Sequence, residues 1–178
     1  SANSFFQTNT KGAEILFDVI KDFAEIDKKK VVWDFYSGAG SISLFLAEYS
    51  KQVYGFEIVQ EAINDARNNC ELNEINNCKF YFANLNNFLQ KEQKLIDNLE
   101  KPDVIIVDPP RPGLNPDFLK QMLKLNAPRI IYVSCNIATQ IRDINLLTQE
   151  EYRIVKFQPV DMFPHTAHLE LVALLEKR

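Results

Sequence analysis

A thiol closes the apolar run in "IIYVSCNIATQ", Ile130 to Gln140, where a buried strand gives way to a turn and a helical segment. The amides and dipole at a helix N-terminus favour the thiolate, the nucleophilic form, so Cys135 is a candidate attacking group. A cysteine without such neighbours is more often a small buried hydrophobe. That is the expectation for Cys70, inside a helical segment, and for Cys78, at the start of a strand. In "DVIIVDPPRPG", Asp108 sits at the C-terminal lip of a buried strand, the ligand-facing edge of an open α/β sheet. The prolines that follow cannot continue a strand or a helix, so they make a stiff loop suited to positioning a flat substrate or a cofactor.

A third group of residues implies a nucleotide-like ligand. "DFYSGAGSIS" follows a strand and opens a helix, and Gly38 and Gly40 allow a tight turn with the backbone close to a ligand. Ser43 stands where a dinucleotide fingerprint would have its third glycine, which weakens an NAD reading. Glu57 ends the next strand, the usual place for a carboxylate that accepts hydrogen bonds from ribose hydroxyls. S-adenosylmethionine has no pyrophosphate and makes no demand for that third glycine. The bland alternative is a tight strand-to-helix turn followed by a solvated glutamate.

The elements that must position these groups follow from periodicity. Runs rich in β-branched and aromatic residues predict strands at 31–36, 52–58, 78–83, 103–108 and 130–135. Near-continuous apolarity in the first, fourth and fifth suits parallel strands covered on both faces. Helices are expected at 10–26, 41–49, 59–73, 85–100, 115–125 and 137–149, with Val59, Ala62, Ile63 and Ala66 as the buried stripe of 59–73. The tail predicts two strands forming a hairpin at one sheet edge. The fold class is α/β, a Rossmann-like, mostly parallel sheet of about seven strands in one domain spanning 1–178.

Composition sets limits. The chain has 178 residues, 46% of them apolar and 25% charged, which suits one globular core. Three cysteines without a CxxC pair and only two histidines argue against structural metal or disulfides. No apolar run is long enough to span a bilayer, and a cytoplasmic monomer is the default expectation. A net charge of −4 argues against holding nucleic acid by bulk phosphate attraction, so a nucleic-acid substrate would be gripped largely by another part of a longer protein.

"DFYSGAG", "DPPRPG", "VSCNIATQIRD" and "DMFPHTAHLE", in that order and after "SFFQTN", resemble the RNA (uracil-5-)-methyltransferase family, class I enzymes that act on ribosomal and transfer RNA. The resemblance covers essentially the whole chain. It implies S-adenosyl-L-methionine as cofactor, RNA as partner, Cys135 as nucleophile and Glu170 as general base. It also implies that Gln7, Tyr36, Ser41, Glu57, Asn84 and Asp108 line the methyl-donor site along with Gly38 and Gly40. Ser41 departs from the asparagine that relatives often carry. The β-barrel and the iron-sulfur cysteines of some members have no counterpart in these residues, so the chain is expected to be a catalytic domain.

The chemistry implied is addition of a thiolate to C6 of uracil, which makes C5 a methyl acceptor, followed by removal of the C5 proton. The base must leave its stack to react, and Phe5, Phe6, Tyr36 and Phe163 are aromatics considered to flank it. His165 and His168 are expected to be hydrogen-bonding scaffold. Three other readings compete: an amino-group methyltransferase, a cytosine-5 enzyme, and a non-catalytic module that binds cofactor for a larger RNA protein. The first needs no thiol and usually ends its strand-four motif in an aromatic where Arg111 stands; the second usually places its cysteine after a proline, and no "PC" occurs.

Overall fold

The computed structural model describes residues 10–162 and 169–178. Gln7, Phe5 and Phe6, and Phe163, His165 and His168, lie outside the described residues. Seven strands form one sheet: β1 (Val31–Phe35), β2 (Gln52–Glu57), β3 (Cys78–Phe82), β4 (Val104–Val107), β5 (Arg129–Ser134), β6 (Tyr152–Asp161) and β7 (Leu169–Lys177). Their order is β3-β2-β1-β4-β5-β7-β6. The first five strands run parallel, and β7 is antiparallel to both β5 and β6.

The helices are α1 (Thr10–Ala24), α2 (Ser41–Ala47), α3 (Gln60–Leu72), α4 (Phe88–Lys91), α5 (Gln93–Ile96), α6 (Pro116–Lys124) and α7 (Ile137–Gln149). Alternation along the strands divides the core in two. Val32, Val53, Ile106, Val133 and Val172 pack on one face with α1, α2 and α3. Trp33, Phe56, Ile105, Tyr132 and Ala173 pack on the other with α4, α6 and α7. Every residue of β1 and β4 is buried, as expected of parallel strands covered on both faces.

Two expectations are corrected. The single helix expected over 85–100 is a 3-10 turn at Leu85–Asn87 followed by two short helices, α4 and α5. Phe88 is fully buried, but the run Lys91, Glu92, Gln93, Lys94 offers no apolar side chain to bury, and the backbone leaves helical geometry at Glu92. In α3 the buried residues are Ile63, Ala66 and Cys70, whereas Val59 is the exposed N-cap. The tail hairpin does form the edge, with the last strand, β7, inserted between β5 and β6. Edge strand β6 is mostly exposed and is irregular between Ile154 and Lys156, a break that discourages pairing with another chain. Among the described residues no helix is long and apolar enough to cross a membrane.

Candidate active site at the carboxyl edge of the sheet

The strand parity that divides the core also gathers the chemical groups. Counting in twos from the core residues of the α1–α3 face puts Asp34, Glu57, Asp108 and Glu170 on that face. The antiparallel ladder between β5 and β7 ends at the pair Ser134 and Leu171. One further step places Cys135 opposite Glu170, with both on the same face. Parallel register likewise pairs Phe35 with Val107, so that Tyr36 and Asp108 leave their strands side by side. Thiol, base candidate and strand-four acid therefore share one rim.

Cys135 is exposed, in contrast to Cys70 and Cys78, which are buried as the sequence suggested. Its turn is rigid. Ser134 Oγ accepts the Asn136 N–H at 3.0 Å, and Asn136 caps α7 by accepting the Ala138 N–H at 3.2 Å. Such a cap contributes about 1 kcal/mol to a helix. Glu170 is half-buried; burial pushes its carboxyl up to about 7, and its Oε2 is buried with no partner among the described residues. Asp108 is pushed up to about 8 by burial, and the nearby acids Glu170 and Asp34 act in the same direction. The Tyr36 phenol is pushed up to about 12, again mainly by burial.

The glycine turn lies at the other end of this rim. Tyr36 takes a positive φ of 64°, a strained conformation for a bulky residue that costs about 1–3 kcal/mol, and its N–H donates to the Phe56 carbonyl at 3.0 Å. The Glu57 carboxylate organises the turn. Its Oε2 accepts the Gly38 N–H at 3.0 Å, while Oε1 accepts the N–H groups of Ile58 and Val59 at 2.7 and 2.9 Å. Asn84 caps the turn after β3 by accepting the Asn86 N–H, and Ser41 is the exposed first residue of α2.

The two glycines are required for different reasons. Gly38 has a φ of 53°, and a side chain there would enter open space. Gly40, at a φ of 85°, would direct a Cβ inward to 2.6 Å from both Leu44 Cδ1 and Phe80 Cζ. Gly40→Ala is therefore expected to lower stability by about 1–3 kcal/mol, read as a lower denaturation midpoint in urea, because strain and overpacking act together.

Sequence reasoning missed several residues. Asp34, 1% exposed, has its carboxyl pushed up to about 7 by burial and accepts a hydrogen bond from Ser43, the residue noted only as a missing glycine. Ile58 and Phe82 are exposed apolar residues beside Glu57, the second directly across the β2–β3 register. Gln140, Arg142 and Asp143 on α7 reach the walls of the site. For Gln140 and Asp143 the signal available was a polar residue at a helix position that periodicity assigns to the buried face; exposed Arg142 carried none.

The residues fit an adenosyl sulfonium ligand on structural grounds. Gly38 faces open space next to an anchored carboxylate, two exposed apolar side chains flank that carboxylate, and the rim is rich in acids that favour a cation. Beneath the turn, Asp34 Oδ1 and Ser37 Oγ are buried with no partner among the described residues. Among those residues no cluster of three or more His, Cys, Asp or Glu could hold a metal ion.

A sequence model of the family described as tRNA (uracil-5-)-methyltransferase matches residues 1–178. The chain belongs to this family. Members similar to it include a protein named as an uncharacterised RNA methyltransferase of Clostridium tetani, 44% identical over 98% of this chain and 37% of that protein. One of the same description in Oceanobacillus iheyensis is 48% identical over 98% of this chain and 38% of that protein. The chain thus spans a little over a third of the length of these curated relatives. Among solved structures, the Pyrococcus abyssi tRNA (uracil-54, C5)-methyltransferase in complex with S-adenosyl-L-homocysteine aligns with a TM-score of 0.81 and 37% identity, over 97% of this chain and 40% of that one. An rRNA methylase of Streptococcus thermophilus, at 17% identity and a TM-score of 0.69 over 89% of this chain and 94% of that one, shares the fold.

Proposed function

We propose that this chain is the catalytic domain of an S-adenosyl-L-methionine-dependent enzyme that methylates C5 of a uridine in transfer or ribosomal RNA through a covalent bond from Cys135 to C6. The observation that carries the reading is the β5–β7 register, whose next step beyond Ser134 and Leu171 brings the exposed thiol opposite a half-buried carboxyl. Family membership and the S-adenosyl-L-homocysteine-bound relative support the cofactor.

Glu57 would accept the ribose hydroxyls, with Ile58 and Phe82 against the adenine. Gly38, Tyr36, Ser41, Asn84, Asp108 and Gln7 would complete the donor site. When bound, S-adenosyl-L-methionine supplies an electrophilic methyl group on a sulfonium. Cys135 adds its thiolate to C6, and the electron pair displaced from the C5–C6 double bond gives C5 the carbanion character that methyl acceptance needs. Glu170 then removes the proton left on C5. The electrons of that C–H bond re-form the double bond, and the C6–S bond breaks to return the thiolate. Arg111, exposed at the rim, is available to RNA phosphate, but the net charge of −4 leaves most of the RNA grip to other parts of the protein.

The test is trapping. Incubation of the intact protein with cofactor and RNA carrying 5-fluorouridine at its target site is expected to leave a covalent protein–RNA complex stable to denaturation, since fluorine cannot be removed as a proton. Peptide mapping should find the cross-link at Cys135. A complex linked through another residue, or methylated RNA with no complex, overturns the assignment.

A further inference from the structure

Helix α7 and its cap carry a stripe of polar residues, Asn136, Thr139, Gln140 and Asp143, at the spacing that on most helices buries apolar side chains. Gln140 is fully buried and Asp143 is 1% exposed. Each holds a different wall of the site. Gln140 Nε2 donates to the carbonyls of Tyr132 on β5 and Leu171 on β7, at 2.9 and 2.8 Å. Asn136 Nδ2 and Thr139 Oγ1 both donate to the Arg111 carbonyl, at 3.0 and 3.2 Å.

Asp143 is the centre of the arrangement. Its Oδ2 accepts the Leu114 N–H and the Tyr132 O–H, both at 2.7 Å, and its Oδ1 accepts Arg142 Nε at 2.8 Å. Arg142 in turn donates to the carbonyls of Pro112 and Leu114. Gly113, at a φ of 80°, packs so tightly on this group that a Cβ would lie 2.6 Å from Asp143 Oδ2. All of the partners of Asp143 are donors, a demand that only a carboxylate meets with both oxygens.

The loop that begins at Asp108 is thus bound to the first turns of the helix that begins beside Cys135. We propose that Asp143 is a positioning residue that locks the 108–114 loop onto α7, so that strand-four acid and nucleophile form one rigid unit with fixed spacing. The inference rests on the function proposed above. It explains why a charged group is buried at the sheet edge, where well-packed apolar residues would cost less. Misplacing a reacting group by about 1 Å can cost roughly 100-fold in rate, which sets the expected effect.

The experiment measures single-turnover formation of the 5-fluorouridine adduct by the intact protein, per site that binds cofactor in calorimetry. Asp143→Asn should slow adduct formation roughly 100-fold at saturating cofactor, while any rise in cofactor Kd, felt through Asp108 of the donor site, stays below about tenfold. Thr139→Val, near-isosteric and half-buried, removes the tie to the Arg111 carbonyl together with a local bond to the Asn136 carbonyl at 3.0 Å; it should fold and slow the step about two- to tenfold, the range of one hydrogen bond. Tyr132→Phe removes a donor from beneath Asp143 but leaves the Asp143 bond to the Leu114 N–H and the Arg142 and Arg111 ties in place, and should leave the rate within about twofold of wild type. A wild-type rate per cofactor-binding site in Asp143→Asn, or in Thr139→Val if the former does not fold, overturns the proposal. So does a loss in Tyr132→Phe as large as that in Asp143→Asn, which would mark general loosening of α7. Wild-type protein that forms no adduct at all removes the function on which the proposal rests, and the proposal with it; wild-type adduct with unaffected variants removes the proposal alone.

Discussion

Cys135→Ala is expected to lose methyl transfer by about four orders of magnitude or more, the scale on which removal of a catalytic nucleophile acts, while cofactor binding stays unchanged. The structure separates those two readouts. Cys135 is exposed, and its side chain supports neither the Ser134–Asn136 turn nor the cap on α7. Alanine at that place removes sulfur without opening a cavity, so the denaturation midpoint should stay near that of wild type. The glycine turn and Glu57 stand on β1 and β2, two and three strands away from β5, which keeps the donor site intact. The assay is tritiated methyl incorporation into RNA beside calorimetric titration of S-adenosyl-L-methionine. Equal methylation by Cys135→Ala would end the covalent reading and favour chemistry without a thiol. Loss of cofactor binding together with activity would mean that the residue acts on the fold.

The parts of this site visible in the sequence are those whose physics is local. A strand-end carboxylate, a glycine turn and a cysteine before a helix each announce themselves within a few residues, and Glu57, Gly38, Asp108 and Cys135 all reach the same rim. Non-local relations were hidden. Nothing in the tail says that β7, not β6, lies against β5, yet that order is what sets Glu170 across from Cys135. Periodicity also misjudged composition against context. Residues 85–100 carry enough apolar side chains for one helix, but their spacing is interrupted by the polar run at 91–94, and the chain breaks there. Asp143 and Ser43 were passed over because each is ordinary in type and informative only once buried: one accepts from three donors, the other serves a carboxyl in the core.

Glu170→Gln is expected to divide the reaction at its middle. The amide has nearly the volume and hydrogen-bonding reach of the acid but cannot take a proton, so addition of Cys135 and methyl acceptance proceed while elimination stalls. With ordinary uridine RNA the variant should accumulate a covalent, methylated protein–RNA complex that wild type does not, and turnover should fall by about 10²–10⁴-fold. The pH dependence follows from the same carboxyl. Burial lifts Glu170 from 4.5 to about 7, and only the ionised form is a base, so wild-type turnover should rise with pH up to and through about 7. Stability runs the other way. The unfolded chain ionises this group near 4.5 whereas the folded protein must ionise a buried carboxyl, so its contribution is fully present below 4.5 and is lost as pH rises through about 7. Glutamine has no such loss, and at pH 8 the variant should melt no lower than wild type, which rules out unfolding as the cause of its inactivity. If Glu170→Gln turns over at the wild-type rate, or loses turnover without accumulating the complex, the C5 proton leaves by another route, and Asp108, pushed up to about 8 on the same rim, is the next residue to replace.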